Sequence, residues 1–157
     1  MSAVDTGLAE NARKSVAEAL NATLADTYAV YMKTHAYHWN VTGPQFHTLH
    51  VMFEEQYREM WAALDEIAER VRALGVFAPT SGAQFAELSA VESADTSPPA
   101  ASKMVEALLH DHELLVRRAR EGLETAEQAG DAASADLLTV RIQTHEKTAW
   151  MLRAMTQ

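Results

Sequence analysis

The segment "HAYHWNVTGPQFHTLHVMFEE", positions 35 to 55, carries four of the seven histidines in a chain of 157 residues. Two pairs in and beyond it have the spacing of ligands on a helix. His50 and Glu54 are four residues apart, as are Asp65 and Glu69, so each pair projects from one helical face. Imidazole nitrogens mixed with carboxylate oxygens suit iron(II), whose open coordination positions permit oxidation chemistry. With His50 set at zero on a helical wheel, Glu54 falls at roughly 40°, Asp65 at 60° and Glu69 at 100°. All four share a face, but Glu54 and Asp65 are about 16 Å apart along the axis, whereas a metal–ligand bond is only ~2.0 to 2.2 Å long. One helix cannot close one site with both pairs. Two copies of it can, if they pack antiparallel about a two-fold axis crossing near Met60, the commonest symmetry of homo-oligomers. Each His50/Glu54 pair then meets the Asp65/Glu69 pair of the other copy. His38, just before the "VTGP" turn, is level with the first turns of the second helix and completes the set. A bland reading stands beside this one: such spacings arise by chance, charged rows are often only solvated faces, and a histidine in a core stripe is often just a buried, bonded one.

These residues need helices to hold them. Ala17, Leu20, Leu24, Tyr31 and His38 follow the three-and-four spacing of one helical face, which predicts a first helix ending near Asn40. Gly43 and Pro44 make the turn. Phe46, Leu49, Phe53, Met60, Leu64, Ile67, Val71 and Leu74 then predict a second helix stopped by Gly75. From Val76 to Ala101, Pro79, Gly82 and "SADTSPPAAS" interrupt a short helix expected around residues 83–89. This long crossover would carry the chain back, so that the next long helix runs parallel to the second. That helix is expected to start with Ser102 as its cap, to bury Val105, Leu108, His112, Val116, Ala119 and Leu123, and to stop at Gly130. Asp131 would cap the last helix, with Leu138, Ile142, His145, Ala149 and Leu152 inward. The predicted fold is all-α: a four-helix bundle with one long crossover, the connectivity of ferritin-like folds. A single domain over 1–157 fits this length.

Composition narrows the chemistry. The chain is 48% hydrophobic and 22% charged, with six Gly and four Pro, as a folded helical protein should be. It contains no Cys, which leaves catalysis to His, Asp and Glu. The N-terminal stretch lacks a signal-peptide pattern and no apolar run reaches the ~20 residues of a membrane span, so a cytoplasmic protein is expected. The net charge of −9 favours cations over phosphate backbones.

His35, one turn before His38, is a candidate accessory ligand, whereas His47 points away from His50. In "HDHE", 110 to 113, residues two apart do not face one another, which makes His112 interior and His110 exposed. Trp39 and Trp61 flank the proposed ligands. Gly-rich phosphate loops, a helical H-E-x-x-H and a nucleophile elbow are missing. So is Glu-x-x-His, which ferritin-like carboxylate proteins use twice within one bundle. That pushes the metal towards an interface.

The run from His35 to Gly75 resembles the signature of the Dps family, the mini-ferritins first named as DNA-binding proteins from starved cells. "HW", "GPQFHTLH" and "DEIAER" stand at the family's spacing, and "EKTAWML" extends the likeness towards the C-terminus. The resemblance implies a dodecameric hollow shell with ferroxidase centres at its two-fold interfaces. His38, His50 and Glu54 would come from one subunit, Asp65 and Glu69 from its mate. Many members have Asp at the position of Glu54. The implied chemistry is Fe(II) oxidation, with hydrogen peroxide in preference to oxygen, and storage of ferric mineral, which protects against oxidative stress. Acidic pores in the family make Asp131 and Asp136 pore candidates, against the plainer reading of a solvated helix start.

DNA binding depends on Lys and Arg neutralising phosphates. The N-terminal stretch offers only Arg13 and Lys14, and no basic tail follows Gln157, so weak or absent DNA binding is expected. The rival reading is a nucleoid-associated, DNA-compacting protein whose iron site is secondary. A third, a bundle that serves only as a scaffold, leaves the five ligands without a role.

Overall fold

The computed structural model describes residues 3–157, so Met1 and Ser2 of the N-terminal stretch lie outside the described residues. Five helices follow one another: α1 (Glu10–Asn40), α2 (Phe46–Ala73), α3 (Gly82–Leu88), α4 (Ala101–Gln128) and α5 (Ala132–Ala154). Among the described residues there is no strand, and no helix is long and apolar enough to cross a membrane.

Helix directions follow from pairs that bridge them. His38 meets His50 and Arg13 reaches the Leu74 carbonyl, so α1 and α2 are antiparallel. Lys33 pairs with Asp111 and Asp26 with Arg118, which makes α4 antiparallel to α1 and hence parallel to α2. The crossover thus returns the chain as its length and composition predict. Helix α5 runs back along α4, with His145 against His112 and Leu138 against Gly122.

The predicted stripes form the core. Val16, Leu20, Ile67, Val71, Ala119 and Leu138 pack at one end, and Tyr37, Phe53, Met60, Leu108, Leu115 and Leu152 at the other. Leu64 touches both clusters and joins them. Each of the large buried side chains contributes about 1.5–3 kcal/mol by leaving water. Phe46 departs from expectation: it is 45% exposed, because at the first position of α2 it lies on the corner and stacks on His50 instead of entering the core. Ser102 is not a cap either. Pro98 and Pro99 keep the preceding chain extended, Ala100 takes the cap position at φ −59°, ψ 152°, and Ser102 falls inside the first turn.

Two glycines make the corners that matter for α2. Gly43 at φ +106° turns the chain between α1 and α2, and Gly75 at φ +87° ends α2. The crossover is held by the fully buried Asp26, whose carboxylate accepts from Ser89 Oγ at 2.9 Å, the Ala90 N–H at 2.7 Å and Arg118 Nε at 2.7 Å.

Candidate metal centre

At the α1–α2 corner, His38 and His50 hold each other reciprocally. His38 Nδ1 donates to the His50 carbonyl at 2.7 Å, and His50 Nδ1 donates to the His38 carbonyl at 2.8 Å. A carbonyl only accepts, so each ring carries a proton on Nδ1, which in the neutral imidazole leaves the lone pair on Nε2. This is the tautomer that ligates a metal, oriented by a backbone acceptor. The rings stack with centroids 3.7 Å apart at 16°. His38 is buried and His50 half-buried. The His38 carbonyl is free for this role because it lies in the last turn of α1, where no intrahelical N–H remains to occupy it.

Glu54 follows one turn after His50. Its Oε1 accepts from Arg58 Nε at 2.9 Å and Nη2 at 2.7 Å, and these bonds hold its carboxyl below the usual range. Asp65 and Glu69 are exposed further along α2. Among the described residues of one chain, no three His, Asp or Glu side chains come together to hold a metal. The structure therefore brings His38 and His50 together, sets Glu54 one turn further along α2, and leaves Asp65 and Glu69 apart from them on the same helix. The donor set fits iron(II): two imidazole Nε2 atoms, a free carboxylate oxygen on Glu54 and two exposed carboxylates.

His35 is turned to other work. Its Nδ1 meets the Tyr31 hydroxyl at 3.1 Å, and its ring stacks on Tyr57 at 3.8 Å and lies against Trp39 at 4.3 Å. Burial, then the charge of His38, lowers its pKa. Tyr57 also touches the edge of the His38 ring at 5.2 Å. Trp39 and Trp61 are exposed beside this aromatic group. His47 and His110 are exposed and His112 is buried, as their positions predict.

Asp131 caps α5 through the Ser134 N–H and is almost fully buried. Burial pushes its carboxyl up, but bonds from Ser134 and Arg70 outweigh this and hold it below the usual range. Of the two pore candidates only Asp136 exposes its carboxylate, in a groove shared with Glu127.

Arg58 and Tyr57 lie outside the ligand spacing yet contact the candidate ligands. The spacing of Arg58, four residues after Glu54, was a visible signal, because such pairs face each other on a helix. For Tyr57 there was none, since its stacking partner lies on α1.

Residues 17–157 match the ferritin-like domain family. The chain is similar to the DNA protection during starvation protein 2 of Bacillus anthracis, with 40% identity over 141 residues, 90% of this chain and 96% of that protein. It is 37% identical to the DNA protection during starvation protein of Brevibacillus brevis over 90% of this chain and 95% of that one. Its fold matches the crystal structure of the Dps protein from Vibrio cholerae, described as a member of a broad superfamily of ferritin-like diiron-carboxylate proteins. That likeness has a TM-score of 0.93 and 30% identity, covering 100% of this chain and 99% of that one.

Proposed function

Because the chain belongs to the ferritin-like family and, within it, to the Dps proteins, we propose that it oxidises Fe(II) at centres shared by two subunits and stores the ferric product in a hollow shell. The observation that carries this reading is the reciprocal His38–His50 lock, which occupies both Nδ1 atoms and leaves both Nε2 atoms, at one corner, for a metal. His38, His50 and Glu54 of one subunit, with Asp65 and Glu69 of its mate, make the ligand set. The two-fold packing supplies what one chain separates by about 16 Å along α2. Exposed Trp61, next to Asp65 on the groove formed with Leu24, Tyr28 and Phe85, suits a face that a second copy covers.

Fe(II) and hydrogen peroxide are the substrates. Each of two Fe(II) ions loses one electron, and hydrogen peroxide takes both with two protons to leave as two water molecules. Both imidazoles offer Nε2 to the ion because backbone carbonyls hold their Nδ1 protons. Removing peroxide and Fe(II) together prevents hydroxyl-radical formation, a form of protection in keeping with the relatives' names. The whole chain acts as one domain, in a cytoplasmic homo-oligomer of dodecameric shell form, with Asp136 at an entry pore.

DNA plays a small part in this reading. Arg13 is occupied by the Leu8 and Leu74 carbonyls and Lys14 by Glu10. The chain carries 22 acidic against 13 basic residues. Tight, salt-resistant retention of duplex DNA in a gel shift by the purified oligomer would reverse this view in favour of the DNA-compacting alternative.

The decisive test is anomalous diffraction at the iron edge from crystals soaked in Fe(II). Density between His38 and His50 of one subunit and Asp65 and Glu69 of another is expected. Density confined to other residues overturns the assignment.

A further inference from the structure

Both N–H groups that Arg58 offers to Glu54 converge on the same oxygen. Nε and Nη2 lie 2.9 and 2.7 Å from Oε1. Oε2 takes no part in the pair. The pair is open to solvent, with the Glu54 side chain 37% exposed and that of Arg58 68% exposed, and the guanidinium leans over the Tyr57 ring at 5.6 Å.

We propose that Arg58 is a positioning residue for the metal centre, reserving Glu54 Oε1 so that the carboxylate meets the incoming cation through Oε2 alone. This rests on the reading of His38, His50 and Glu54 as ligands. Glu has one more methylene than the Asp that the resemblance leads one to expect here, and that extra torsion gives it more ways to approach an ion, including chelation by both oxygens. A planar guanidinium with two donors on one oxygen removes that freedom. Its fixed positive charge also opposes that of the bound cation, and so disfavours retention of the more highly charged oxidised ion. A centre that must pass its product on to a store benefits from both effects. Arg58 is well suited to the task because an exposed ion pair adds little to folding stability, so its geometry is free to serve the site.

The experiment uses the intact oligomer and cobalt(II), a redox-inert stand-in for Fe(II) whose visible absorption reports coordination number. In Arg58→Ala, Glu54 can chelate and the opposing charge is gone. Cobalt(II) is then expected to bind about three- to tenfold more tightly, with weaker visible bands as coordination rises. Arg58→Lys keeps the charge but offers a point donor instead of a fork. It should restore the parent affinity to within about twofold while leaving the bands altered. Glu54→Asp in the Arg58→Ala background should return the bands towards those of the parent, since the shorter side chain reaches the ion less freely. An affinity and spectrum unchanged in Arg58→Ala overturn the positioning role. Failure of the parent oligomer to bind cobalt(II), or binding that survives His50→Ala undiminished, overturns the site itself and the role of Arg58 with it.

Discussion

His145 Nδ1 and His112 Nδ1 lie 3.0 Å apart in the core between α5 and α4. Arg141 Nη2 donates to His145 Nε2 at 3.0 Å, and Arg141 is itself paired with Glu59 on α2. A guanidinium only donates, so His145 must carry its proton on Nδ1 and give it to His112. The His112 proton is left on Nε2. Three helices are thus joined by one polar chain, and it works only with both rings neutral.

This makes stability depend on pH. Burial first, then the charge of Arg141, pushes the His112 pKa down to about 3, and burial, then His112 and Arg141, holds His145 well below its ordinary value. In the unfolded chain both titrate near 6.5. With folded pKa values depressed, the unfolded state binds more protons as pH falls. Stability is therefore fully present above about pH 6.5 and is lost below it, by up to about 1.4 kcal/mol per pH unit for each ring. Urea unfolding between pH 7 and 5 should show this slope, and His112→Gln should reduce it by about one ring's share. A flat profile in that window would mean that the rings are protonated in the fold.

The proposed sharing of the centre between subunits is tested by complementation. Oligomers made only of His50→Ala chains, or only of Asp65→Ala chains, should lack peroxide-dependent Fe(II) oxidation. In a random co-assembly, about a quarter of the sites draw an intact position 50 from one variant and an intact position 65 from the other. The rate should recover to about that fraction. No recovery at all would point to sites closed within one chain.

Among the polar residues that anchor the crossover, Asp26 on α1 is expected to be the most costly to lose. Asp26→Ala removes the acceptor for Ser89, Ala90 and Arg118 at once, at a cost of about 3 kcal/mol. Chemical denaturation measures that loss. Limited proteolysis should show new cleavage within residues 89–100 before the helices are cut.

The two acidic residues at the start of α5 should separate cleanly. Asp131→Ala deletes the cap and the partner of Arg70, costing about 1–2 kcal/mol. Asp136→Ala, on the surface, should change stability by less than about 0.5 kcal/mol but slow Fe(II) uptake by the assembled shell. Equal uptake by Asp136→Ala and the parent would remove Asp136 from the entry route.

The periodicity of apolar residues determined the four long helices and most of their inward faces, because a 3.6-residue repeat leaves few ways to bury Leu20, Phe53, Leu108 and Leu138 together. Gly43, Gly75 and Gly130 marked the corners, since each supports a positive φ that other residues resist. The candidate ligand pairs were also visible in the sequence, as was the fact that one helix could not close a site with both of them. Other features depended on contacts between residues distant in sequence. The tautomers of His38 and His50 come from carbonyls twelve residues away on the neighbouring helix, and the pairing of Asp26 with Arg118 spans 92 positions. Phe46 kept its place in the apolar repeat yet lies outside, because a helix's first turn belongs to the corner rather than to the bundle. Periodicity reports the face of a residue, whereas the tertiary structure decides what that face meets.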